Sequence, residues 1–157
     1  MPSLTVATRQ PKILCLDDNV ELLECLQSFL ETFGYAVQVT TSGLKAIQLV
    51  AQWKADAVIL DYYMPELDGE QVAREIRKIR SRVAIILLSG AVDIPEEALR
   101  LVDAFVDKNH IASRLLPTIS NLLWQLPVVP RRSNLLEMDD YSYDEMWPEE
   151  ATGSDDA

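Results

Sequence analysis

Short apolar runs alternate with helical patterns along most of the chain, and this alternation limits the possible folds more than any other feature. Four of the runs have the length of a strand buried on both faces: Ile13–Leu16, Ala57–Leu60, Val83–Leu88 and Ala104–Val106. A fifth run, Tyr35–Thr40, mixes polar and apolar residues and is typical of an edge strand. Strands in this alternation with helices predict an α/β protein with a doubly wound parallel sheet.

The helices between these strands are marked by their ends. The first is expected to end at Gly34, the second to begin at Thr41 or Ser42, and the third to begin at Asp68. Pro95 is followed by two acids, which is typical of the first turn of a fourth helix. The fifth has a start disturbed by Pro117 and an apolar face formed by Ile119, Leu122, Leu123 and Leu126.

The acidic residues divide the chain into a body and a tail. The net charge is −11, yet nine of the 25 acids lie from Glu137 onward, where no lysine or arginine occurs. We therefore predict an N-terminal extension over residues 1–10, one domain over 11–126, and a proline-containing linker with a flexible acidic tail over 127–157. Apolar residues are interleaved with the tail's acids, so a segment that docks onto a partner or onto the chain's own domain stays a second hypothesis.

Several classes of protein are excluded by the composition. The body, counted as residues 1–136, has 16 acids and 14 bases, so it lacks the basic face that direct nucleic-acid binding requires. Its longest apolar run has six residues, which excludes membrane insertion by a helix. His110 is the only histidine, which excludes zinc clusters and Ser-His-Asp triads. Cys15 and Cys25 form no disulfide framework, and they favour a cytoplasmic protein.

Charged and hydroxyl residues lie at the ends of the strands. In an open parallel sheet, ligands bind beyond the carboxyl ends of the strands. The residues there are Asp17 and Asp18, Asp61, Ser89, and Lys108. Three crowded carboxylates repel one another unless they share a cation, and hard oxygen ligands suit Mg²⁺. A carboxylate can also attack phosphorus; the metal and Lys108 would then supply positive charge, and Ser89 would donate a hydrogen bond to a phosphoryl oxygen.

The motifs that contain these residues resemble the receiver domain of two-component response regulators. The similarity extends over residues 11–126 and includes four blocks in order: Ile13 to Asn19, Asp61 to Gly69, Leu88 to Gly90, and Phe105 to Lys108. The resemblance implies a flavodoxin-like fold of five βα units with strand order 2-1-3-4-5.

The resemblance also implies a role for each site residue. Asp61 is expected to accept a phosphoryl group. Asp17 and Asp18 are expected to hold Mg²⁺ together with Asp61 and the backbone carbonyl of Tyr63.

A second set of residues is expected to respond to the phosphoryl group. Ser89 and Lys108 would contact it, and Phe105 would move inward when the hydroxyl moves. A core aromatic side chain is the alternative for Phe105. The chain departs from the family at Asn109, where proline is usual, and at Gly90, where alanine is usual.

The resulting hypothesis is a stand-alone signalling switch. A sensor histidine kinase or phosphotransfer protein would phosphorylate Asp61, and a downstream protein would bind the changed surface. The chain would catalyse only its own aspartyl phosphorylation and dephosphorylation. A haloacid-dehalogenase-type phosphatase is disfavoured because Tyr63 stands where that chemistry needs a second aspartate. A dinucleotide enzyme is disfavoured because no Gly-x-Gly turn follows the first strand. A receiver-like adaptor that acts without phosphorylation stays open.

Overall fold

Five strands and five helices alternate through residues 9–91 and 93–123, the part of the chain that the computed structural model describes. The predicted N-terminal extension and acidic tail lie largely outside these residues. The elements are β1 (Lys12–Leu16), α1 (Val20–Thr32), β2 (Ala36–Thr40), α2 (Gly43–Trp53), β3 (Ala57–Leu60), α3 (Gly69–Ile79), β4 (Ala84–Ser89), α4 (Glu96–Leu101), β5 (Ala104–Asp107) and α5 (Ile111–Leu122), with a 3₁₀ turn (Lys108–His110) before α5.

The strands form one parallel sheet in the order β2-β1-β3-β4-β5, which confirms the predicted fold. The order reverses between β1 and β3, because β1 has β2 on one side and β3 on the other. Leu16 at the end of β1 pairs with Leu60 at the end of β3, and Ser89 at the end of β4 pairs with Asp107 at the end of β5. The carboxyl ends of these strands therefore meet at one edge, as predicted.

Successive residues of β1 pack alternately into two separate apolar cores, one on each face of the sheet. Ile13 and Cys15 pack on one face of the sheet against α1 and α5. Leu14 and Leu16 pack on the other face with residues from α2, α3 and α4. All four are fully buried or nearly so. A strand covered on both faces has no polar side, which explains the continuous apolar run in the sequence.

The predicted helix ends are confirmed where a side chain or a glycine defines them. The Ser42 hydroxyl accepts a hydrogen bond from the Lys45 amide at the start of α2. Asp68 begins α3 with a capping box that it shares with Gln71. Gly34 follows α1 with a φ of 91°, a left-handed conformation that glycine adopts without steric cost.

Two expectations for the C-terminal part of the domain were wrong. Of the residues of β5, only Val106 is buried, because β5 lies at the edge of the sheet and has one neighbouring strand. The last helix begins at Ile111, and Pro117 lies inside it. Ile111, Leu115 and Ile119 recur at four-residue spacing and are buried, so packing of this face holds the helix despite the missing amide of Pro117.

Within the described residues, no helix has the length and apolar character needed to cross a membrane.

Candidate functional site

Three carboxylates meet where β1 and β3 end. Asp17 and Asp61 are buried, with 2% and 6% of their surface exposed, while Asp18 is exposed. One carboxylate oxygen from each of the three lies within 4.8 Å of the others. The structure thus brings together the three acids that the sequence placed at one sheet edge.

Lys108 joins two of these acids. Its Nζ lies 2.8 Å from Asp17 Oδ2 and 3.0 Å from Asp61 Oδ2. Burial alone lowers the pKa of Lys108, but its bonds to the two carboxylates outweigh burial and raise the pKa overall. The lysine therefore stays protonated and supplies positive charge directly to the predicted acceptor.

Burial of the Asp17 side chain raises the pKa of its carboxyl group, although hydrogen bonds from Lys108 and from the Asn19 amide act in the opposite direction. The Asn19 amide donates to Asp17 Oδ1 at 2.9 Å. The Asn19 side chain also accepts from the Leu22 amide and caps α1. Sequence reasoning gave Asn19 no role, although an asparagine directly before a helical pattern is a recognised signal for a cap.

Ser89 ends β4 and is 2% exposed. Its Oγ accepts a hydrogen bond from the Ala91 amide at 3.2 Å, so its hydroxyl proton is not used in that bond. A Cβ atom built on the neighbouring Gly90 would meet no atom closer than Lys108 Cβ, at 3.9 Å. The family's usual alanine would therefore fit at Gly90.

The loop from β3 to α3 closes tightly behind Asp61. The Gly69 amide donates to the Tyr62 carbonyl at 2.8 Å. A Cβ atom on Gly69 would lie 2.4 Å from the Asp61 carbonyl oxygen, so only glycine permits this approach. Among the described residues, no hydrogen bond reaches the carbonyl of Tyr63. The Tyr63 side chain is 59% exposed and its ring packs edge-on against the buried Tyr62.

Phe105 lies on β5, which β4 separates from the strand that ends just before the predicted acceptor. It stands on the edge strand β5 with 41% of its surface exposed, so the alternative reading of a core aromatic is wrong. Past the lysine, the Asn109 amide donates to Asp107 Oδ1 at 2.8 Å. Proline, which is usual at this position in the family, could not make that bond because it has no amide hydrogen.

The donor set fits Mg²⁺. Three carboxylates within reach of one another offer hard oxygen ligands. The Tyr63 carbonyl accepts no hydrogen bond from the residues that the structure describes, so it is available as a further oxygen ligand. The two buried acids are fixed by strand ends and by Lys108, while Asp18 is open to solvent. Such a site can hold a cation that keeps waters and accepts a phosphoryl oxygen.

The chain belongs to the response regulator receiver domain family, whose model matches residues 13–119. The response regulator MprA of Mycobacterium leprae is 32% identical over 115 residues, which cover 71% of this chain and 50% of MprA. The chain thus spans about half the length of the curated relatives it matches.

Solved receiver structures are similar in fold. The response regulator TrrA of Thermotoga maritima, solved in complex with Mg²⁺–BeF, is 30% identical with a TM-score of 0.69, over 73% of this chain and all of that one. A receiver domain from Clostridium thermocellum is 29% identical with a TM-score of 0.68, over 73% of this chain and 95% of the other.

Proposed function

We propose that the chain is a phospho-accepting response regulator and that Asp61 is its acceptor. The observation that carries the proposal is the setting of Asp61: a buried carboxylate at the carboxyl edge of the sheet, 3.0 Å from the Lys108 ammonium and grouped with two further acids. An aspartate that only caps a helix or forms a turn does not require a partly buried ammonium and two further carboxylates beside it. A sensor histidine kinase or a phosphotransfer protein would serve as the donor.

The transfer follows from the chemistry of the residues. An oxygen of Asp61 attacks phosphorus and forms an acyl phosphate, while the bond from phosphorus to the donor's imidazole nitrogen breaks and its electron pair stays on that nitrogen. Lys108 balances the charge that arrives, because its Nζ is already beside Asp61. Ser89 donates its free hydroxyl proton to a phosphoryl oxygen.

Asp17, Asp18, Asp61 and the Tyr63 carbonyl would hold Mg²⁺. When bound, the metal supplies positive charge to the phosphoryl oxygens. The Asn19 amide keeps Asp17 oriented toward the cluster. Phe105 is exposed on β5, the neighbour of the strand that Ser89 ends. We expect this ring to move inward when the Ser89 hydroxyl moves toward the phosphoryl group.

The output is expected to be contact with a downstream protein in the cytoplasm, without direct nucleic-acid binding. In this role the chain is a switch, and the only chemistry it catalyses is its own phosphorylation and dephosphorylation.

A receiver-like adaptor that acts without phosphorylation is the second candidate. It is favoured by the double ion pair of Lys108, which balances charge within the site and holds its two buried acids together without a phosphoryl group. It is also favoured by the Asp107–Asn109 turn, which fixes the loop after the lysine in a way proline would not.

One experiment separates the two candidates. The full chain is incubated with acetyl phosphate or phosphoramidate and Mg²⁺, and its intact mass is measured. We expect one added phosphoryl group, which disappears in Asp61→Asn and when Mg²⁺ is chelated. Asp93→Asn is the matched control, since Asp93 is exposed and forms no hydrogen bond with the described residues. Full phosphorylation of Asp61→Asn would overturn the site, and no addition to the unaltered chain with either donor would favour the adaptor.

A further inference from the structure

A groove of about 510 Å³ lies near the amino-terminal ends of the strands, on the opposite side of the domain from the acidic site. It is bounded by the end of α3, the loop before β4 and the end of α5. The residues used below are Arg9, Arg80 and Arg82, and the apolar Ile79, Leu122 and Leu123. None of them belongs to the acidic site.

The groove carries excess positive charge. Among the described residues, Asp56 is the one acid that lines it, and its carboxylate is paired with Arg9 and accepts from the Lys12 amide. Arg80 uses one nitrogen to donate to the Ala55 carbonyl. Arg82 is exposed and forms no ion pair with any residue of the described ranges. Three arginines against one carboxylate leave a charge of about +2, which attracts an anionic segment.

The same groove exposes apolar surface. Ile79, the last residue of α3, is 45% exposed, and Leu122 at the end of α5 is only half-buried. Apolar side chains beside arginines suit an occupant that carries both acids and large apolar groups.

We propose that residues 135–150 of the same chain dock into this groove. This segment holds seven acids and no base, and its apolar residues are Leu135, Leu136, Met138, Tyr141, Tyr143, Met146 and Trp147. Its composition therefore matches both properties of the groove.

The position of the segment in the chain favours docking within one molecule. Leu123 lines the groove and is the last described residue, and Leu135 follows 12 residues later. Twelve residues span at most about 40 Å, so the segment is tethered beside the groove. At an effective concentration of about 1 mM, a contact with an intrinsic dissociation constant of about 100 µM is occupied about nine-tenths of the time.

The basic residues on the exposed face of α3 are a poorer target. Arg74 pairs with Glu70, Lys78 pairs with Glu75, and Arg77 pairs with Asp103. Arg77 also donates to the carbonyls of Leu101, Ser81 and Val83. An acidic segment would have to displace these partners, whereas Arg82 has none to displace among the described residues.

Paramagnetic relaxation in the full chain tests the proposal. Cys25→Ser removes the exposed thiol, Ser142→Cys provides the site for a nitroxide label, and amide intensities of the ¹⁵N-labelled protein are compared before and after reduction of the label. We expect a severalfold loss of intensity at the amides of Arg82 and Val83. Arg82→Glu should abolish the loss. The matched control is Arg114→Glu on α5, which makes the same charge change at an exposed arginine outside the groove.

Each outcome decides the proposal. A loss that disappears in Arg82→Glu and persists in Arg114→Glu supports docking. Equal loss at all surfaces, no loss, or loss centred on another surface overturns it. A control mixes ¹⁵N-labelled protein that carries no nitroxide with nitroxide-labelled protein that carries no ¹⁵N. An equal loss of intensity in this mixture overturns docking within one chain and indicates a second copy. Phosphorylation of Asp61 does not enter the readout, so this proposal fails or stands separately from the proposed function.

Discussion

Replacing Lys108 by methionine removes a positive charge from the acidic site while keeping most of the side-chain volume. The lysine side chain is 26% exposed, and the two carboxylates it contacts, on Asp17 and Asp61, are 3% and 7% exposed. The variant therefore leaves two nearly buried carboxylates without the cation that faces both of them.

We expect Lys108→Met to lower the free energy of unfolding substantially. Removing one partner of a buried ion pair costs about 3–5 kcal/mol, because an uncompensated charge is left inside. Lys108 is partly exposed, so solvent screening reduces the loss to about 2–4 kcal/mol. With a urea dependence of about 2 kcal/mol per molar, the unfolding midpoint should fall by about 1–2 M.

The deficit should depend on pH. In the unaltered protein, burial raises the pKa of the Asp17 carboxyl above its ordinary value, and the charge of Asp61 acts in the same direction, while the hydrogen bond from Lys108 lowers it. Without the lysine, the folded-state pKa rises further above the unfolded value of about 3.9. A group with a raised pKa stabilises the folded state below its unfolded pKa, and that stability is lost as pH rises through the folded value. The deficit should therefore be larger at pH 7 than at pH 5.

Urea unfolding in a metal chelator, at both pH values, measures the effect. Lys45→Met is the matched control, because Lys45 is exposed and forms no ion pair with another described residue, and it should change stability by less than about 0.5 kcal/mol. Adding Asp17→Asn to Lys108→Met should recover part of the loss, since one of the two unpaired charges is gone. An unchanged midpoint, or a deficit equal at pH 5 and pH 7, would refute the reasoning.

Three further predictions concern other positions. Gly69→Ala should destabilise the fold by about 1–3 kcal/mol or more in urea unfolding, because its Cβ would collide with the Asp61 carbonyl oxygen. Gly90→Ala is its control and should be nearly neutral, because the nearest atom to its Cβ is Lys108 Cβ at 3.9 Å. Burial raises the pKa of the Cys15 thiol to about 12, so iodoacetamide at pH 8 should modify only the exposed Cys25, and intact mass should show one adduct in the native chain and two in denaturant. Asp18→Ala should weaken Mg²⁺ binding, as measured by calorimetry. It should leave the metal-free melting temperature unchanged, because Asp18 is exposed and forms no hydrogen bond with the described residues. A marked drop in that temperature would mean that Asp18 is structural.

The sequence predicted best what depends on few residues. A strand covered on both faces is apolar throughout, so β1, β3 and β4 could be located to within one residue. Caps depend on one side chain and one amide, so Asp68 could be identified and the cap of α2 could be narrowed to Thr41 or Ser42. The strand order came with the family resemblance, because apolar runs alone do not say which strands are neighbours.

The errors arose where the outcome depends on distant parts of the chain. The exposure of Phe105 depends on β5 being an edge strand, and a strand of four residues is too short to reveal that by alternation. The start of α5 has no side-chain cap hydrogen bond, so His110 gave no signal there. Pro117 marked the wrong boundary, because the buried face of the helix extends on both sides of it.

In the acidic cluster, charge repulsion correctly predicts that a cation is needed, but it does not say which cation. Three crowded carboxylates were expected to need a shared cation, and in the structure Lys108 already contacts two of them. With all four groups ionised, the cluster has a charge of −2, and Asp18 is the acid that Lys108 does not contact. A bound metal would therefore meet one solvent-facing carboxylate and two that are already paired. We expect Asp18 to contribute most to attracting the cation, while Asp17 and Asp61 would fix its position.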